Sequence, residues 1–248
     1  MHDFISDFVL LQTNKKRKTV KYNDFEKVFS VERMFKYRIA CGSDTRRAMT
    51  LYRYNLRLSQ EMFTIISCFE VALRNKIDTE MKHQHGNNWL RDAILPNGCF
   101  YYDRRVEGSR KIIEKAYNGL MRSTCYTHSK LLAEMEFGVW KFMFNNVQYR
   151  LLGRHLLSIF PNKPTSTATN RYDNTFVFNE LDAINKMRNR IAHHEPICFG
   201  QPVCIDVSSV KDCYKRIMRL FQWMGIDSAS LLYGLDHIDL VCGQILSV

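Results

Sequence analysis

Long apolar runs are missing from this 248-residue chain. No stretch of about eighteen uncharged apolar residues occurs, nor a signal-type hydrophobic segment, nor an evident lipidation motif, so the expectation is a cytoplasmic protein without a membrane anchor. Glycine (11) and proline (5) are sparse, and no Asn-Gly pair stands between runs of alternating apolar and polar residues, which argues against β-hairpins. The eight cysteines include no Cys-x-x-Cys pair and several lie in apolar stretches, so they read as reduced thiols that behave as small hydrophobes. Four residues near one another in sequence, His193, His194, Cys198 and Cys204, raise the question of zinc, but their spacing matches no familiar zinc module.

What the chain does have is apolar content of 46%, enough for a real core, with apolar residues recurring at steps of three and four. The expected fold class is all-α. A helix is expected at 24–37, then long helical sequence over 43–83, broken or bent near Leu58-Ser59, in which Met62, Ile66, Phe69, Leu73 and Ile77 share one side. Residues 86–108 read as a connection with Trp89 tucked against the helices. Further helices are expected at 109–121, at 129–160 with an interruption near Asn145-Asn146, at 207–224, and in a short C-terminal piece. The tract PNKPTSTATNR at 161–171 is a loop and leads into a helix at about 174–194, whose apolar stripe is Val177, Leu181, Ile184, Met187 and Ile191. Pro196 disfavours helical geometry at Glu195 and so limits that helix.

The charge is lopsided: 36 Lys and Arg against 25 Asp and Glu give a net +11. Such a surface attracts polyanions, and nucleic acid is the default partner. Residues 1–23 are expected to form a basic arm carrying Lys15-Lys16-Arg17-Lys18, ahead of one helical domain at 24–248.

The end of the 174–194 helix carries the chemistry, in Met187-Arg188-Asn189-Arg190-Ile191-Ala192-His193-His194-Glu195-Pro196-Ile197. Asn189 and His193 are one turn apart, whereas Arg188 and His193 are separated by roughly 140° about the axis. Asn185, Asn189 and His193 fall opposite the apolar stripe and so face water or another chain. Histidine has an unperturbed pKa near 6.5 and can move protons, and the arginine fork can hold two phosphate oxygens. Carbonyls at a helix C-terminus repel phosphate and favour imidazolium, so Arg188 has to overcome that repulsion. The plainer reading keeps its weight: a solvated histidine at a helix end, favoured there by the dipole, beside an arginine that snorkels.

The phrase RNRIAHHEPI resembles the signature of Abi-like (abortive-infection) proteins of the HEPN superfamily, with its Arg-Asn-x-x-x-His core. Leu51-Tyr52 and Asn55, leading into Phe69-Glu70-Val71-Ala72-Leu73-Arg74-Asn75, resemble the same family's upstream block, and Glu136-Phe137-Gly138-Val139-Trp140 is similar to its middle helix. The resemblance spans roughly residues 25–225. It implies a HEPN-like helical bundle with additional helices and a homodimer in which two motif copies form a composite site. It also implies metal-independent RNA cleavage by 2′-hydroxyl attack, leaving a 2′,3′-cyclic phosphate, with no cofactor. Arg188, Asn189 and His193 are then the catalytic candidates, with Glu70, Arg74, Asn75 and His194 in support. Glu70 and Arg74, one turn apart, are also positioned for an intrahelical ion pair.

Three functions stay open at this point. The first is an endoribonuclease acting as a toxin or phage-defence effector, with an antitoxin or regulatory RNA as a further partner. The second is a noncatalytic RNA-binding protein that holds a structured or guide-like RNA. The third is a metal-dependent enzyme using the His193/Cys204 region.

Overall fold

The computed structural model describes residues 20–248, so the basic run at 15–18 lies outside the described residues. Twelve α-helices and two 3₁₀ turns are present among them, and their only β pairing is an isolated bridge between Phe199 and Ile205. The fold is all-α.

Helix α1 (Tyr22–Phe29) and helix α2 (Val31–Ala40) replace the single helix expected at 24–37. Ser30 takes a positive φ of 73°, which breaks the helical path, and its Oγ accepts from the Arg33 N–H to start α2. The reverse correction applies to α3 (Thr45–His85), which runs 41 residues without the expected break at Leu58-Ser59. The segment holds no Gly or Pro, Leu58 is fully buried, and Thr64, Ser67 and Thr79 turn their hydroxyls onto carbonyls one turn back. At about 1.5 Å per residue this helix is a spine roughly 60 Å long. Asp44 caps its start by accepting from the N–H groups of Arg46 and Arg47.

The segment after α3 contains a short helix, α4 (Trp89–Asp92), and Trp89 is buried as expected. Its indole donates to Asp78 Oδ1 at 2.9 Å, and Asp78 also receives His128 and Lys82, each at 2.7 Å. Burial alone would raise the Asp78 pKa, but these three donors outweigh it and hold the carboxyl below the ordinary aspartate value.

Helix α5 (Glu107–Arg122) covers the span expected at 109–121. The span 129–160 is cut more finely than expected, into α6 (His128–Ala133), α7 (Phe137–Phe142), α8 (Asn146–Leu151) and a 3₁₀ turn at Leu156–Ile159. Thr127 and Asn145 supply side-chain caps that restart α6 and α8. Helix α9 (Asn174–Ala192) carries the motif, and α10 (Ser208–Trp223), α11 (Ser228–Leu231) and α12 (Ile238–Leu246) come after it.

The spine meets α2, α7, α9, α10 and α12, so the core forms around it. Among the described residues no helix is long and apolar enough to cross a membrane.

Candidate functional site at the end of helix α9

Helix α9 buries Val177, Leu181, Ile184 and Met187, together with a carboxylate, Glu180. Glu180 is paired with Arg216 and Arg219 of α10, one turn apart, so the buried charge is met by two guanidinium groups. On another side Asp182 accepts from Lys141 Nζ of α7 at 2.9 Å, and that buried ammonium also lies 4.4 Å from the Phe142 ring centre. The middle-helix block is therefore fastened to the motif helix by the residue that comes after Trp140.

The C-terminal turn is closed by a left-handed cap. His193 is the last near-helical residue, His194 takes φ of 56°, the His194 N–H donates to the Ile191 carbonyl and the Glu195 N–H to the Arg190 carbonyl. Those two bonds are a Schellman closure, in which the left-handed position usually belongs to glycine. Pro196 stands just past the cap, so the helix ends through the conformation of His194 and Pro196 prevents its resumption.

Three contacts hold the segment beyond the cap. The His194 carbonyl accepts from Arg33 of α2 at 2.8 Å, and the Pro196 carbonyl accepts from Arg190 at 2.7 Å. The Ile197 N–H donates to the buried side chain of Asn55, on α3, at 2.9 Å. Around Asn55 the Tyr52 ring meets Phe25, Phe29 and Tyr37 at 4.5–5.4 Å, and Tyr37 meets Phe199 at 4.9 Å. The Leu51-Tyr52 and Asn55 block thus anchors the segment just past the motif.

The second attachment lies at Arg188. This half-buried side chain is close enough to Glu70 for its charge to act there, as are Arg74 and Glu136. Burial raises the Glu70 pKa above the ordinary glutamate value, Arg188 and Arg74 oppose the rise, and Glu136 adds to it. The expected Glu70–Arg74 ion pair is not formed: neither residue has an ion-pair partner within 4.0 Å among the described residues, and Arg74 Nε is buried without a hydrogen bond. Both side chains instead belong to a loose group of charges that also includes Arg188 and Glu136.

Asn189 and His193 are exposed, as their position on the helix wheel implies. Arg188 Nη1 reaches Asn189 Oδ1 at 3.5 Å, a long contact that leaves both groups available. Asn75 is exposed and its side chain bonds nothing among the described residues, so the structure does not join it to the motif. His194 contributes its backbone, through the cap and the carbonyl held by Arg33.

Cys198 is fully buried, which pushes its thiol up to about 12, whereas Cys204 is exposed. Among the described residues no three His, Cys, Asp or Glu side chains are gathered as a metal site.

Several of these roles lacked a clear sequence signal. Glu180 stands in the apolar stripe, and its partners recur three residues apart at Arg216 and Arg219, a pattern that could have been read. Arg33 and Lys141 sit in ordinary charged contexts with nothing in the sequence to separate them from solvated residues, and Glu136 stands in the middle-helix block with no sign there of what it meets.

The family model for the Abi-like protein matches residues 18–198, from just before α1 to the segment anchored by Asn55. No curated protein and no solved structure matches the chain.

Proposed function

Since the chain belongs to the Abi-like protein family, which suggests a role in abortive infection, we propose that it is a HEPN-type endoribonuclease acting as a toxin or phage-defence effector. The observation that carries this reading is the arrangement of the α9 terminus: Asn189 and His193 are exposed, while Arg33 and Asn55 hold the backbone just past them and Arg188, just before them, lies within reach of the Glu70 charge. Solvated helix ends normally fray, so a fastened end that displays polar side chains is suited to hold them in one geometry.

In this reading the ribose 2′-oxygen attacks the adjacent phosphorus and the 5′-oxygen of the next nucleotide leaves, giving a 2′,3′-cyclic phosphate and a 5′-hydroxyl. His193 moves a proton to or from these oxygens, with a base accepting from the 2′-hydroxyl and an acid protonating the leaving oxygen. Arg188 offsets the extra negative charge of the phosphorane and the repulsion from the helix-end carbonyls. Asn189 orients the phosphate or the imidazole.

Acid and base act on opposite sides of the phosphorus, which two copies of His193 in a homodimer supply. The outer side of α3 supports such a dimer. Leu56, Phe63 and Val71 are exposed there, within roughly 80° of one another about the axis, and Glu70 lies on the same side. The two attachment points, Asn55 and Glu70, bracket Phe63, so a second copy seated on this side would meet the end of α9.

The net charge of +11 favours RNA as the polyanion, and the cytoplasm is the compartment proposed with it. An antitoxin or regulatory RNA is a further proposed partner, since an unsilenced nuclease would harm its own cell.

Purified protein incubated with total RNA in EDTA tests the reading: new ends should carry 2′,3′-cyclic phosphate and 5′-hydroxyl. RNA that is bound but left intact by the dimer would favour a protein that holds a structured or guide-like RNA instead.

A further inference from the structure

Beside the charged group at Glu70 lies a pocket of about 690 Å³ between α5 and the start of α7. Its apolar wall is Ile112, Ala116, Leu120 and Val139. Glu136, whose charge acts on Glu70 on one side, lines this pocket on the other. Glu134 lines it too, and neither carboxylate has a hydrogen bond or ion pair among the described residues. Ser123 and Cys125 contribute little to recognition, because the Ser123 hydroxyl already meets the Gly119 and Leu120 carbonyls and lies 2.9 Å from the Cys125 sulfur.

We propose that this pocket receives one unstacked base of the RNA, next to the phosphate held at Arg188, and that Glu136 selects guanine. The inference rests on the endoribonuclease reading and adds a base preference to it.

The volume falls within the range of small-molecule pockets, with room for a nucleoside. Sequence-specific RNA recognition takes single-stranded bases out of the stack and reads their edges by hydrogen bonds, and an extruded base can be held between apolar as well as aromatic side chains. An ionised carboxylate is an acceptor only. Guanine is the base whose Watson–Crick edge presents two adjacent donors, N1–H and the N2 amino group, that match both oxygens of one carboxylate. Adenine and cytosine place a ring acceptor beside their amino group, and uracil has a single N–H between two carbonyls. Either arrangement brings an acceptor against the carboxylate. Lys115, exposed at the rim, offsets the two carboxylates and suits the phosphate of the inserted nucleotide.

Gly119 gives a clean way to close the pocket. It lines the cavity from within α5, and a Cβ built there meets nothing within 4 Å. Gly119→Leu therefore adds bulk to open space at a helical position where glycine is the poorer helix former, so its melting temperature should not fall.

Calorimetric titration of the full chain with GMP, AMP, CMP and UMP tests the proposal without any cleavage. GMP should bind about tenfold more tightly than the others, Glu136→Gln should reduce that ratio to about threefold or less, and Gly119→Leu should remove the binding while the protein still melts cooperatively. Equal affinity for the four nucleotides, no measurable binding, or a guanine preference that survives Gly119→Leu would overturn it. If the preference is found in a protein that cuts no RNA, the pocket stands and the nuclease reading fails. If RNA is cut with no base preference at the cleavage points and the nucleotides bind alike, the pocket fails and the nuclease reading stands.

Discussion

The side-chain oxygen of Asn55 accepts the backbone N–H of Ile197 at 2.9 Å, tying the first third of the 41-residue spine to a residue 142 positions later, just past the motif. Asn55 is 3% exposed, so no water replaces this bond if the acceptor is lost. Asn55→Ala should destabilise the protein by about 1–3 kcal/mol, the usual penalty for leaving a buried donor unmade. Urea denaturation measures this, and a loss below about half a kcal/mol would mean that the segment finds another partner.

Glu70 should have the opposite sign of effect. Its folded-state pKa lies above the unfolded value of about 4.3, so its contribution is most favourable below that value and declines as pH rises through the folded pKa. At pH 7 the charged form is disfavoured by burial, and Gln mimics the protonated form. Glu70→Gln should raise the melting temperature at pH 7, with a smaller gain at pH 4. An equal gain at both pH values would point to packing instead of charge.

Phe63 is 45% exposed on the outer side of the spine, between the two attachment points of the motif segment. Phe63→Glu should lower dimer affinity at least tenfold in sedimentation and lower RNA cleavage in step, since two carboxylates would face each other across the proposed interface. The isolated chain should keep its helical circular dichroism. A wild-type protein that is monomeric at micromolar concentration would remove the composite site.

His194 holds the left-handed position of the cap, at φ of 56°, where glycine is unstrained. His194→Gly should raise stability by several tenths to about 1 kcal/mol. If it does so while cleavage is kept, the role of His194 is confined to its backbone. A large drop in rate would give its imidazole a part in the chemistry.

The all-α class, the long spine and the motif helix were legible because apolar periodicity is a local signal, carried by runs such as Met62, Ile66, Phe69 and Leu73. Breaks were less so. Ser30 ends α1 through its backbone conformation, and Leu58-Ser59 resembles a weak point only until Leu58 is seen to be buried. At the site, the exposure of Asn189 and His193 came directly from the helix wheel, whereas the tie from Asn55 to Ile197 and the sharing of Glu136 between two neighbourhoods depend on tertiary packing across helices. The family resemblance placed Asn55 and Glu136 in blocks without saying what they touch.

His193→Ala tests the central claim most directly. The imidazole is exposed and makes no side-chain hydrogen bond among the described residues, so its removal should leave the melting temperature and RNA affinity nearly unchanged. A positioned acid or base contributes about 10²–10⁴-fold in rate. Single-turnover cleavage of one labelled RNA in EDTA, measured beside a binding curve for the same RNA, should therefore show at least a hundredfold slower cleavage with affinity preserved. Cleavage by His193→Ala at the wild-type rate would place the active centre elsewhere and contradict the account.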